Sequence, residues 1–243
     1  MENFPLWADH ILAFIFGITL PVFAAYNRPK SSAGAGFSST EKKQVYVSVS
    51  FSLFLMAAII IVVWLLFSRP LTALGFIRPG PLQSWGWVVA LFMALYIADT
   101  ISVIGSETRL EKARREWLKT IPFTPTRRQE FPLYLVMCFS AGVFEEIIFR
   151  GFLINYCLGL FAGWGHTELW AVLIPGVAFS MGHYYQGGRA LIKILILSFL
   201  FGFLFIRSGS LLTVMLLHFL VDAAGGLLTL KYMSEQKKTP LDE

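Results

Sequence analysis

Residues 131–161 read FPLYLVMCFSAGVFEEIIFRGFLINYCLGLF. The stretch is apolar enough to cross a bilayer, yet it holds Glu145, Glu146 and Arg150 near its middle. A spanning helix needs ~20 mostly apolar residues. Each charge at membrane depth costs at least ~2.5–3.5 kcal/mol on insertion scales. Two later apolar segments repeat the feature: FSMGH carries Phe179 and His183, and HFLVD carries His218 and Asp222. One buried charge can be an accident of packing. Carboxylates, an arginine and two histidines spread over three apolar segments point to a site built inside the membrane.

The composition agrees. Of 243 residues, 56% are hydrophobic and 14% charged, with mean hydropathy +0.65; a soluble domain is nearer ~25% charged. The expected fold is all-α, a polytopic transmembrane bundle of about seven spans. These fall at 11–26, 45–67, 84–105, 131–161 (long, bent or broken), 168–185, 190–206 and 209–230. The first ten residues contain Glu2 and Asp9 but no Lys or Arg, so the first segment reads as a retained span rather than a signal peptide. Cys138 and Cys157 have no metal-type spacing and read as packing residues. Asp99 and Lys193 read as structural or interfacial, and His10 and His166 as residues at span ends.

Residues 27–43 form a Gly/Ser/Ala-rich loop, expected to be flexible, and 68–83 a Pro/Gly-rich turn region. Residues 107–119 place Leu110, Ala113, Trp117 and Leu118 on helical spacing. This suits a helix lying in the interface, or equally one packed on the bundle. With the 27–43 loop inside, sixteen of the twenty Lys and Arg fall in inside loops and three outside. The asymmetry predicts an outside N-terminus, an inside C-terminus and a cytoplasmic 106–130 loop. The net charge of +5 is scattered between spans, so no nucleic-acid partner is expected. The organisation is read as N-terminal helices over 1–130, a catalytic helical core over 131–230 and a polar tail over 231–243.

Within the polar set, Glu146 and Arg150 share a helix face at i,i+4, where an ion pair lowers the cost of burying both. That leaves Glu145 freer to take a proton from water, although the opposite assignment stays open. Adjacent residues on a helix point ~100° apart, so the two carboxylates do not aim at one point. His183 can share a proton with a buried carboxylate. His218 and Asp222, again i,i+4, can act together, with Asp222 orienting the ring and His218 stabilising an oxyanion. Gly142 and Gly151 allow close approach of neighbouring helices. Glu145 lies about 21 Å along a helix entering at Phe131, whereas His183 ends its span. They meet only if the helix of Glu145 begins well below the membrane, or is broken or tilted.

At these residues the chain resembles the CPBP family of intramembrane proteases, which includes the type II CAAX-prenyl endopeptidases and their bacterial relatives. That pattern is two adjacent glutamates and an arginine, a phenylalanine one turn before a histidine, and a histidine one turn before an asparagine or aspartate. Here these are Glu145, Glu146 and Arg150; Phe179 and His183; His218 and Asp222. The resemblance covers about residues 131–225. It implies hydrolysis of a peptide bond in or beside the membrane. Glu145 and His183 would activate water, Glu146 and Arg150 would support them, and His218 and Asp222 would form the oxyanion side. An ionised Asp222 cannot donate a hydrogen bond, so it would orient His218 or carry a proton. The implied partners are a peptide or membrane-protein substrate, prenylated or not, and the lipid bilayer. The implied location is a multi-pass position in the bacterial cytoplasmic membrane. The same side chains also form a metalloprotease-type set for a divalent metal such as zinc, although no HExxH is present. The competing reading is a non-catalytic membrane protein: a transporter with a polar relay, or an immunity or scaffold protein.

Overall fold

The computed structural model describes residues 5–27 and 37–235, and every regular element among them is helical. Backbone polar groups in lipid must be satisfied within the segment, which is why apolar runs of this length are helices. The elements are α1 (Trp7–Tyr26), α2 (Ser39–Leu66), α3 (Leu82–Ile104), α4 (Glu107–Thr120), α5 (Arg128–Leu160), α6 (Thr167–Gly182), α7 (Gly188–Ser208) and α8 (Leu211–Glu235). Six of these are long and apolar enough to span a bilayer, and α6 is a shorter apolar helix. The chain is an integral, multi-pass membrane protein. Large apolar side chains such as Phe51, Ile59 and Leu66 on α2 point outwards, as lipid-facing residues do. Trp64, Phe92, Phe152, Leu204 and Leu211 fill the interior.

Three expectations need correcting at their edges. The part of the 27–43 loop that falls within the described residues is not all loop: α2 starts at Ser39. Its start is set by a capping box, with Ser38 N–H donating to Glu41 Oε2 at 2.7 Å and Glu41 N–H to Ser38 Oγ at 3.3 Å. Residues 28–36 lie outside the described residues, as do 236–243 of the expected polar tail, whereas 231–235 continue α8. The third correction concerns α6. It has 16 residues, ~24 Å at 1.5 Å per residue, short of the ~30 Å hydrocarbon core. After Gly182 the chain turns through a 3₁₀ segment, Tyr184–Gln186, instead of carrying the helix on to 185.

The helix ends fall into two groups. At one end Arg69 grips Asp9 through two hydrogen bonds of 2.7 and 2.8 Å, both side chains buried. The 68–83 turn region packs there too. Leu211 N–H donates to the Gly75 carbonyl, and Gly80 N–H to the Ser208 carbonyl, each at 2.8 Å. Gly75 has φ +96°, and a Cβ there would lie 2.5 Å from Phe205 Cε2, a position for which a residue without Cβ is suited. At the opposite end Lys42 pairs with buried Glu130 at 3.1 Å, and Tyr46 donates to the Phe123 carbonyl at 2.6 Å. On α4, Leu110 is buried, Ala113 and Trp117 are half-buried and Leu118 is exposed. That helix packs against α3 and α8 through its apolar stripe.

Candidate active site

The helix carrying the paired glutamates is not α-helical at its centre. Within α5, Ala141–Glu145 and Ile147–Ile154 are π-helical. A π turn closes i→i+5 bonds and so holds more residues than an α turn, a winding frequent at functional sites. Helix α5 meets α8 at Gly142. A Cβ there would lie 2.9 Å from Phe219 N and 3.1 Å from the Met215 carbonyl oxygen. The absent side chain is what brings His218, on α8, beside the glutamates.

Glu146 is fully buried. Its Oε1 accepts from Arg150 Nη1 at 2.9 Å and contacts His218 Nδ1 at 2.6 Å. Arg150 reaches α7 as well, donating through Nη2 to Ser198 Oγ at 2.8 Å and to the Ser198 carbonyl at 3.3 Å. Its guanidinium lies 4.8 Å from the ring centroid of Phe179 and 5.4 Å from that of Phe201, distances at which a cation is attracted to an aromatic face. The ion pair read from the i,i+4 spacing is thus the centre of a larger buried network. Ser198 and Phe201 were not legible in advance, because a serine and a phenylalanine in an apolar run carry no periodic signal.

The other edge of His218 faces outward. Its Nε2 is 3.5 Å from Asp222 Oδ2 and 3.9 Å from Glu145 Oε2. The two glutamates, separated around the helix, therefore address opposite nitrogens of one imidazole. Side-chain exposure rises from 0% at Glu146 through 9% at His218 and 15% at Glu145 to 37% at Asp222. The inner carboxylate is sealed and the outer two are reachable. Glu145 makes no hydrogen bond among the described residues. Asp222 is held through its backbone, whose carbonyl accepts from Tyr134 Oη at 3.2 Å.

His183 joins this group because α6 is short. Measured from the end shared by Leu160 and Thr167, Glu145 and His183 each lie roughly fifteen residues deep, and α5 continues past α6 by the length of Arg128–Phe144. The expected mismatch in depth disappears: α5 begins well below that level and α6 stops at it. His183 Nδ1–H donates to the Phe179 carbonyl at 2.9 Å, since a carbonyl can only accept. In the neutral ring this leaves Nε2 as the basic nitrogen. The Phe179 ring lies 4.6 Å from His183 and 6.3 Å from His218, centroid to centroid, and His183 is within electrostatic reach of Glu145. Among the described residues no group of three or more His, Cys, Asp or Glu side chains is disposed to hold a metal ion.

Residues 127–224 match the family Type II CAAX prenyl endopeptidase Rce1-like. These residues form a domain of the Rce1-like CPBP family, a family of proteases. The matched segment runs from just before α5 to the middle of α8 and contains Glu145, Glu146, Arg150, His183, His218 and Asp222. No curated protein and no solved structure matches the chain. Outside the motifs, Asp99 and Lys193 pair with each other at 2.5 Å on the half-exposed surface. His10 contacts the Tyr156 hydroxyl at 2.7 Å, among residues other than the six of the motifs.

Proposed function

We propose that this protein is an intramembrane endopeptidase in which Glu145 and His183 activate water and His218 steadies the oxyanion. One observation carries the reading: Glu146 is consumed by hydrogen bonds to Arg150 and His218, whereas Glu145, beside it, makes no hydrogen bond among the described residues, lies 3.9 Å from His218 Nε2 and is partly open. Glu145 takes a proton from water as the water oxygen bonds to the scissile carbonyl carbon. His183 Nε2, its tautomer set by the Phe179 carbonyl, accepts a hydrogen bond from the same water. Negative charge builds on the carbonyl oxygen. His218 gives its Nδ1 proton to the Glu146 hydrogen bond, so a second proton on Nε2 makes the ring a donor to that oxygen. Asp222, whose Oδ2 lies 3.5 Å from Nε2, supports the charged ring electrostatically, since both ring N–H groups are already in use. As the C–N bond breaks, the proton held by Glu145 passes to the leaving nitrogen. The products are a carboxylic acid and an amine.

The test is cleavage of an internally quenched peptide ending in a farnesylated CAAX sequence, by purified protein in detergent micelles. A second quenched peptide, a lone transmembrane helix, runs alongside. Glu145→Gln and His183→Ala are each expected to lower kcat by about 10²–10⁴-fold, the usual yield of a positioned general base. Cleavage that survives Glu145→Gln but is lost in Glu146→Gln would move the base to Glu146. No cleavage of either peptide by the wild-type protein would favour the non-catalytic alternative.

A further inference from the structure

We infer that the phenol of Tyr185 is a second hydrogen-bond donor to the oxyanion, a role that rests on the peptidase reading above. An oxyanion site ordinarily converges two donors. His218 supplies one. A carboxylate at Asp222 can only accept, whereas an asparagine there could donate, so the last motif of this chain offers no carboxamide donor.

Tyr185 borders the site, its ring beside that of His183. The 3₁₀ turn Tyr184–Gln186 that ends α6 holds the chain at the depth of the site, closed by Gln186 N–H donating to the His183 carbonyl at 3.0 Å. The Tyr185 ring lies 6.1 Å from the His183 ring, tilted by 30°, and 6.2 Å from that of Phe123. These neighbours fix it in position without using its hydroxyl. The hydroxyl oxygen accepts from Gln186 Nε2 at 3.2 Å, and its hydrogen goes to no described group. Glu145 and Asp222 are both within electrostatic reach, one on the water side of the reaction and one on the oxyanion side. A phenol ordinarily ionises only near pH ~10, so it keeps its proton at physiological pH. Tyr185 gives a hydrogen bond and transfers no proton, which leaves the proton balance of the reaction unchanged.

The experiment uses the full chain in detergent micelles and the quenched farnesylated CAAX peptide. Tyr185→Phe keeps the ring and removes the donor. It is expected to lower kcat by about 10²–10³-fold, the usual effect of losing one oxyanion donor, with KM and the unfolding temperature unchanged. In that background Asp222→Asn, which replaces an acceptor with a carboxamide donor, is expected to recover about tenfold in kcat. A Tyr185→Phe enzyme as fast as wild type overturns the inference. So does a loss accompanied by a raised KM and a lower unfolding temperature, which marks a packing role, or the absence of any recovery in the double variant. Glu145→Gln separates the two ideas. Cleavage that needs Glu145 but ignores Tyr185→Phe removes only the second donor. Absence of Glu145-dependent cleavage removes the peptidase reading and this donor with it.

Discussion

Arg150 shows how one residue can hold a polar centre together in an apolar bundle. It is buried and satisfied by Glu146, Ser198 and two aromatic faces. Replacing it strands the Glu146 carboxylate, and breaking a buried pair from one side costs ~3–5 kcal/mol. Arg150→Ala is therefore expected to lower the unfolding temperature sharply in detergent and to abolish cleavage. Arg150→Lys should recover only part, since an ammonium lacks the planar fork that reaches Glu146 and Ser198 at once. Equal stability of Arg150→Ala and wild type would show that the pair contributes nothing. Ser198→Ala is a milder cut. Hydrogen bonds to charged groups are worth ~1.5–3 kcal/mol, so a loss of about that size is expected in denaturant titration. Half of this cluster was legible beforehand: Glu146 and Arg150 sit on one helix, where period alone fixes their contact. Ser198 was not, because its partner lies on another helix.

At the level of elements, the contact between α5 and α8 decides whether the site exists. Gly142 has no room for a methyl group, and what it meets is backbone, which cannot swing aside. Gly142→Ala is expected to push the helices apart, lengthen the 2.6 Å contact between His218 and Glu146, and reduce cleavage by at least about tenfold, one decade per ~1.4 kcal/mol of lost transition-state stabilisation. Gly165→Ala is the control, because a Cβ there meets nothing within 4 Å. Matching activities for the two variants would show that the close approach is dispensable. The need for a small residue at Gly142 could be read from the segment, but which helix it faces could not. The π winding of α5 is not legible in the sequence either, since hydrophobic spacing over so short a stretch does not separate i→i+4 from i→i+5 closure.

Across the whole molecule, helix ends alternate between two faces, one tied by Asp9–Arg69 and the other by Lys42–Glu130. The distribution of Lys and Arg predicts that the second face, with α4, is cytoplasmic. Cysteines introduced at Lys112 and Pro81, both exposed, should react with a membrane-impermeant maleimide from opposite sides. The native Cys138 and Cys157 are buried. Labelling of the Lys112→Cys protein from outside intact cells would invert the orientation.

The apolar runs by themselves determined an all-helical, multi-pass chain, because a backbone in lipid has no other partner than itself. The spacing within single helices determined the Glu146–Arg150 pair, a local contact imposed by the helical period. Only the tertiary structure decided that α6 stops at Gly182 and so brings His183 level with Glu145. Only it decided that Glu146 takes one nitrogen of His218 while Glu145 and Asp222 face the other. Those contacts join residues on different helices, and their distances depend on where helices end and how closely they cross, which no single-helix period encodes.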